Sequence, residues 1–373
     1  MLVVGFLVAS GPLLMVYLRN RRSNRLGRLH ALTLVTVFLT FDLVLFGAFT
    51  RLTDSGLGCP DWPGCYGHAS PLGAGADIET AQLAMPTGPV TPTKAWIEMV
   101  HRYLAMGVGV LITALALAAW LGRKSPIARP AISPWWPTAT WVWVCIQGAF
   151  GALTVTMKLF PAIVTLHLLG GYVLLALLTV QSVGLAIQQG LHNPRAISRD
   201  LRRWIALGLV LLIFQSASGA WVSTNYAVLA CTEFPMCQGQ WLPQMDFGGG
   251  FEILRPLGFG SDGHPISFQA LTAIHFTHRT LAAVTLALLA TLAWMLYSEG
   301  TLRRPARVLA GLLVLQLVTG LSNVVLGWPI VAAVLHTGGA GAITVVLVWL
   351  LTASRARPSP CTTESMTPPG LTT

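Results

Sequence analysis

The sequence predicts an all-α polytopic membrane protein: two pseudo-symmetric four-helix transmembrane bundles related by a parallel repeat, plus one extra N-terminal helix. Three observations predict it. Of 373 residues, 54% are hydrophobic and only 10% charged, against about 25% charged in an ordinary soluble domain. Apolar runs of about 20 residues, the length a helix needs to cross a hydrocarbon core of about 30 Å, recur from end to end. The landmarks of the first half also return in the same order in the second.

Taken in order, the spans fall near 2–18, 30–52, 95–121, 137–157, 162–187, 204–224, 270–298, 306–326 and 330–353. The first lacks a basic n-region and is followed by arginines, so it reads as an anchored helix rather than a cleaved signal peptide. Basic residues cluster in alternate loops: Arg19, Arg21, Arg22, Arg25 and Arg28; then Arg123, Lys124 and Arg129; then Arg195, Arg199, Arg202 and Arg203; then Arg303, Arg304 and Arg307; finally Arg355 and Arg357. The opposite loops hold little more than Lys94, Lys158 and Arg255. The net charge of +10 therefore reports topology rather than a nucleic-acid partner. The N-terminus is expected outside, the C-terminus in the cytoplasm, and the long loops 53–93 and 225–269 outside.

The repeat divides the chain. Residues 1–28 form the extra helix and a basic loop, 29–190 and 191–353 the two bundles, and 354–373, rich in Pro, Ser and Thr, a disordered tail. "GAFTRLTDSGLGC" from Gly47 aligns without a gap to "GAWVSTNYAVLAC" from Gly219. "CPDWPGCYG" then matches "CTEFPMCQG", "VHRYLA" matches "THRTLA", "QGAFGALTV" matches "QLVTGLSNV", and "LHLLGG" matches "LHTGGA". Four helices per repeat, an even number, give both halves the same orientation about an axis along the membrane normal.

Cys59 and Cys65 repeat the spacing of Cys231 and Cys237. All four lie in loops expected outside, where an oxidising compartment permits disulfides that staple a loop. Cys145 lies in a span and Cys361 in the tail, and neither is assigned a role.

Among nine histidines, His101, His167, His278 and His336 stand on the second and fourth helices of each half. Each lies roughly 8–12 Å into its helix at 1.5 Å per residue, so two matched pairs share one depth. Zinc wants further protein ligands. Glu98 and His101 have the Glu-x-x-His spacing of di-iron bundles, but the remaining carboxylates such a site needs are missing, Asp42 being the other intramembrane acid. A haem between two facing imidazoles fits best. Arg102 and Arg279 follow their histidines and are candidates to pair with propionates or to support the ligands from behind. The glycines after His167 and His336 give either room for a flat macrocycle or ordinary helix packing. His275 shares the face of His278 as a supporting group or alternative ligand. His30, His68, His192 and His264, in loops or at helix ends, are given no role.

These motifs together, "EMVHR", "HFTHR", "LHLLGG", "LHTGGA" and the paired cysteine loops, resemble the haem A synthase family over about 30–353. The resemblance implies conversion of haem O to haem A for terminal oxidases in the bacterial inner membrane. It implies a substrate haem on His101 and His167, a haem b cofactor on His278 and His336, and Glu98 as the catalytic glutamate. The cysteine pairs match loops that carry disulfides in bacterial members. Haem O synthase and oxidase assembly factors are candidate partners, and a homo-oligomer is an open possibility. The four histidines alone suit a b-type electron-transfer cytochrome equally well. The cysteines alone suit a thiol oxidoreductase, although their spacing lacks the tight C-x-x-C of redox motifs, and the repeat alone suits a haem transporter. Glu98 distinguishes the halves, because His275 stands in its place in the second.

Overall fold

The computed structural model describes residues 2–122 and 133–356. Arg123, Lys124, Arg129, Arg357 and Cys361 lie outside the described residues. Helix α1 (Leu2–Arg19) precedes the first bundle, built from α2 (Arg25–Leu52), α4 (Pro92–Gly122), α5 (Trp135–Thr156) and α6 (Pro161–Gln188). The short α3 (Gly75–Ala84) lies in the first long loop. The second bundle comprises α7 (Arg199–Thr224), α9 (Phe268–Ser298), α10 (Arg303–Val325) and α11 (Ile330–Thr352), with the single turn α8 (Phe247–Gly250) in its loop. These eight bundle helices are long and apolar enough to cross a membrane. Helix α1, at 18 residues, spans about 27 Å at 1.5 Å per residue. It is the shortest of the nine expected spans.

Asn24, Ser198 and Ser267 start their helices by accepting a hydrogen bond from the backbone amide three residues on, the usual satisfaction of an orphan N–H at a helix start. In the first bundle α2 packs on α4 and α6, and α5 packs on the same two helices. The second bundle repeats this with α7 and α10 each packed on α9 and α11. Between halves α6 meets α11, while α2 meets α11 and α6 meets α7. The last two contacts exchange when the halves are exchanged, as a two-fold repeat requires. Across this seam the Tyr172 hydroxyl donates to the Thr337 carbonyl at 2.7 Å. Arg51 donates to the Ser223 carbonyl at 2.6 Å and to the Tyr226 hydroxyl at 3.0 Å.

Helix α1 stands outside the repeat, against α4 and α2. A Cβ on Gly5 would lie 3.0 Å from the Met106 Cβ, and one on Gly107 would lie 2.7 Å from the Val8 Cγ1. Small residues therefore let the two backbones cross closely, as membrane helices do in the absence of a hydrophobic drive.

The tail differs from expectation at its start. Ser354–Ala356 form a strand, β2, parallel to β1 (Arg195–Ile197). Arg202 explains the order there: its guanidinium donates to the carbonyls of Leu351 at 2.8 Å and Ser354 at 3.0 Å, capping the end of α11 and holding the chain against β1.

Candidate haem sites

The two cysteine loops are built alike. Cys59–Cys65 and Cys231–Cys237 are disulfides with Cα atoms 4.9 and 4.8 Å apart. Cys65 pairs with His68, and Cys237 with Gln240, across a two-residue turn. Both turn residues have positive φ, Tyr66–Gly67 in one loop and Gln238–Gly239 in the other, the backbone of a type I′ hairpin. The Asp61 carboxylate accepts from the Tyr66 and Gly67 amides at 2.6 and 2.8 Å. In the second loop Glu233 accepts from the Gly239 amide at 3.1 Å.

The stretch Glu98–Arg102 of α4 ties the first loop down. Glu98 is 4% exposed and Arg102 9%. The Arg102 Nη2 donates to Glu98 Oε1 at 2.5 Å. The other carboxylate oxygen accepts from the Cys59 amide at 2.8 Å. The Arg102 Nη1 donates to the carbonyls of Asp61 at 2.9 Å and Gly64 at 2.5 Å. Arg279 does the equivalent in the second half, donating to the Pro235 carbonyl at 3.0 Å, while its Nη1 is buried without a partner. His275, in the place of Glu98, is hydrogen-bonded to the Ala227 backbone. The arginines thus support the site by fixing the loop beside each histidine helix.

Each of the four histidines rests against a glycine of the adjoining helix. A Cβ on Gly47 would lie 3.0 Å from the His101 Cε1, and one on Gly151 would lie 3.4 Å from the His167 Cε1. The corresponding distances are 2.8 Å from Gly219 to His278 and 3.1 Å from Gly320 to His336. With Cε1 against a glycine and Nδ1 buried or hydrogen-bonded, the accessible edge of each partly buried ring is the Nε2 edge. Within each half the two imidazoles are close enough to interact electrostatically.

This donor set fits a haem. No group of three or more His, Cys, Asp or Glu that could hold a bare metal ion occurs among the described residues. A macrocycle that brings its own four nitrogens needs only two axial imidazoles. The glycines following His167 and His336 serve packing instead: Gly170 receives the Gln147 side chain, and Gly339 receives that of Gln316.

The nitrogens turned away from that edge differ between halves. The His278 Nδ1 lies 2.9 Å from the Ser218 hydroxyl and 3.1 Å from the Gln215 amide. The His336 Nδ1 lies 3.0 Å from the Thr319 hydroxyl. The Nδ1 atoms of His101 and His167 are buried with no partner, and Phe46 stacks on the His101 ring at 6.2 Å between centroids. Sequence reasoning missed these glycines and hydroxyls. Their signal was present in the aligned blocks, where Gly47 matches Gly219 and Gly151 matches Gly320, while Phe46 faces Ser218 and Phe150 faces Thr319.

Fold and site together define a polytopic helical membrane protein with a repeated pair of inward imidazoles. Residues 30–349 match the model of the COX15-CtaA family, cytochrome oxidase assembly protein. The chain is 38% identical to the "Heme A synthase" of Shewanella oneidensis, over 84% of its own length and 93% of the relative's. It is 29% identical to that of Caulobacter vibrioides, over 87% and 95%, and 28% identical to that of Halalkalibacterium halodurans, over 79% and 86%. The chain belongs to this family of integral membrane proteins.

Proposed function

We propose that the protein is a haem A synthase, oxidising one methyl group of haem O to a formyl group. The relatives' names support the reaction, and the observation that carries it onto this chain is the inequality of the two sites. Two equal bis-histidine sites would serve electron transfer alone. Here one half has Glu98 one helical turn before His101, and the other has His275.

In this reading residues 29–190 take haem O as substrate between His101 and His167, and residues 191–353 hold haem b between His278 and His336. A bound haem b would carry electrons away from the substrate site. The protein's own residues orient the reactants and handle protons. The glycine beside each imidazole sets the ring's rotation, and Arg279 offers its free Nη1 to a propionate. Glu98, fixed by Arg102 and the Cys59 amide, is the group placed to accept a proton as the methyl is oxidised. The arginine-rich loops support a cytoplasmic C-terminus, with both cysteine loops on the outer face of the bacterial inner membrane. That placement suits the disulfides. In this reading a haem O synthase is the candidate donor of the substrate, and oxidase assembly factors are candidate partners.

Glu98→Gln tests the proposal. The variant should retain haem b and bind haem O, yet accumulate no haem A in extracted pigment. Haem A formation at the wild-type level would remove Glu98 from the chemistry.

A further inference from the structure

We infer that Ser218 and Thr319 are positioning residues that strengthen His278 and His336 as ligands, and that Phe46 and Phe150 withhold that support from His101 and His167. One site is thereby built to keep its haem and the other to release it. The inference rests on the assignment of these histidines as haem ligands.

Each hydroxyl has a second acceptor within reach for its proton. A hydroxyl has one proton to give. With its proton on the Gln215 carbonyl at 2.8 Å, Ser218 has lone pairs free to accept from the His278 Nδ1, 2.9 Å away. Thr319, with its proton on the Leu315 carbonyl at 2.7 Å, is likewise free to accept from the His336 Nδ1 at 3.0 Å. In that arrangement both imidazoles carry their proton on Nδ1 and present the Nε2 lone pair at the accessible edge, the tautomer an iron ligand needs. The Gln215 Nε2 lies 3.1 Å from the same His278 Nδ1, and this amide becomes a second acceptor there only with its ends exchanged, which also gives Oε1 the partner it lacks. A ligand whose far N–H is held by an acceptor is fixed in tautomer and rotation and is more basic toward the metal.

The first half lacks each of these acceptors. Ser218 is replaced by Phe46 and Thr319 by Phe150 at the aligned positions, and both Nδ1 atoms are buried with no partner. Nothing fixes the tautomer of His101 or His167, and nothing raises their donor strength. That suits an occupant which must arrive as substrate and leave as product.

The test is redox titration of the b-type haem, with haem retention during detergent washing, in purified Ser218→Ala, Thr319→Val and Thr319→Ser. Loss of the acceptor removes anionic character from the imidazole, which stabilises the oxidised iron. Ser218→Ala and Thr319→Val should therefore shift the midpoint to a more positive potential and lose haem roughly 10-fold faster or more, the usual effect of removing such a partner. Thr319→Ser, which keeps the hydroxyl, should behave as wild type. Phe46→Ser should retain more co-purifying substrate haem, a readout that stands even if a second-half variant does not fold. Unchanged potential and retention in both second-half variants would overturn the inference, as would the same shift in Thr319→Ser. His278→Ala and His336→Ala separate the two levels. If they keep the b-type spectrum, the ligand assignment itself fails. If they lose it while Thr319→Val matches wild type, only this inference fails.

Discussion

Gly219 leaves so little room beside His278 that an added Cβ would lie 2.8 Å from the ring, closer than side-chain carbons approach one another. The matching distances are 3.0 Å for Gly47, 3.1 Å for Gly320 and 3.4 Å for Gly151. The last is ordinary van der Waals contact. Alanine substitutions should therefore reduce bound haem in that order, with Gly219→Ala the most damaging and Gly151→Ala close to wild type. Haem-to-protein ratios of the four purified variants check the ranking, and a severe loss in Gly151→Ala with none in Gly219→Ala would contradict it. Overpacking of a fixed site typically costs about 1–3 kcal/mol, enough to empty a site whose ring cannot turn. Glu98 and Arg102 obey a different balance. Their charges are buried together, and removal of one partner leaves the other uncompensated at a cost of about 3–5 kcal/mol. The test at Glu98 therefore uses the isosteric Gln, which keeps the shape and one acceptor oxygen for Arg102 or the Cys59 amide, and haem b retention reports whether the fold tolerates the lost charge.

Each four-helix repeat opens on a helix pair joined by a stapled loop. Each disulfide closes a short loop whose carbonyls receive the arginine next to a histidine, Arg102 in one half and Arg279 in the other. Replacing Cys59 and Cys65 together by serine should loosen residues 53–91 by about 2 kcal/mol, the stabilisation expected for so short a closed loop. Limited proteolysis should then cut there, while haem b in the other half stays bound. Cutting at an unchanged rate would show that the Arg102 and Glu98 contacts hold the loop without the bridge. Much of this element plan was legible in the sequence, because gapless alignment of the cysteine blocks placed the loops and histidines in register. The partner of Glu98 was not legible. Its acceptor role toward Cys59 spans 39 residues, and periodicity carries no information about which way a loop folds back. The glycine beside each histidine escaped for the same reason: it lies on a neighbouring helix, and only packing joins the two.

At the scale of the whole molecule, a duplicated bundle has become two unequal sites within one frame. The frame is symmetric: α6 and α11 form the seam, and each bundle repeats the same order of contacts. The differences that bear on the sites lie at a few aligned positions, namely Glu98 against His275, Phe46 against Ser218 and Phe150 against Thr319. Sequence reading placed the eight bundle helices and the aligned histidine positions, since hydropathy and internal alignment report those directly. It missed the short pairing of Ser354–Ala356 with Arg195–Ile197, a contact between distant segments that composition does not encode. The inequality of the sites is the central claim, and pigment analysis tests it most directly. Haems should be extracted from purified wild type, from His101→Ala/His167→Ala and from His278→Ala/His336→Ala, then identified by pyridine haemochrome spectra and chromatography. The prediction is haem b with haem O or haem A in the wild type, haem b alone in the first variant, and loss of haem b in the second. Haem b as the sole pigment of the wild type, or identical pigments in both variants, would contradict it.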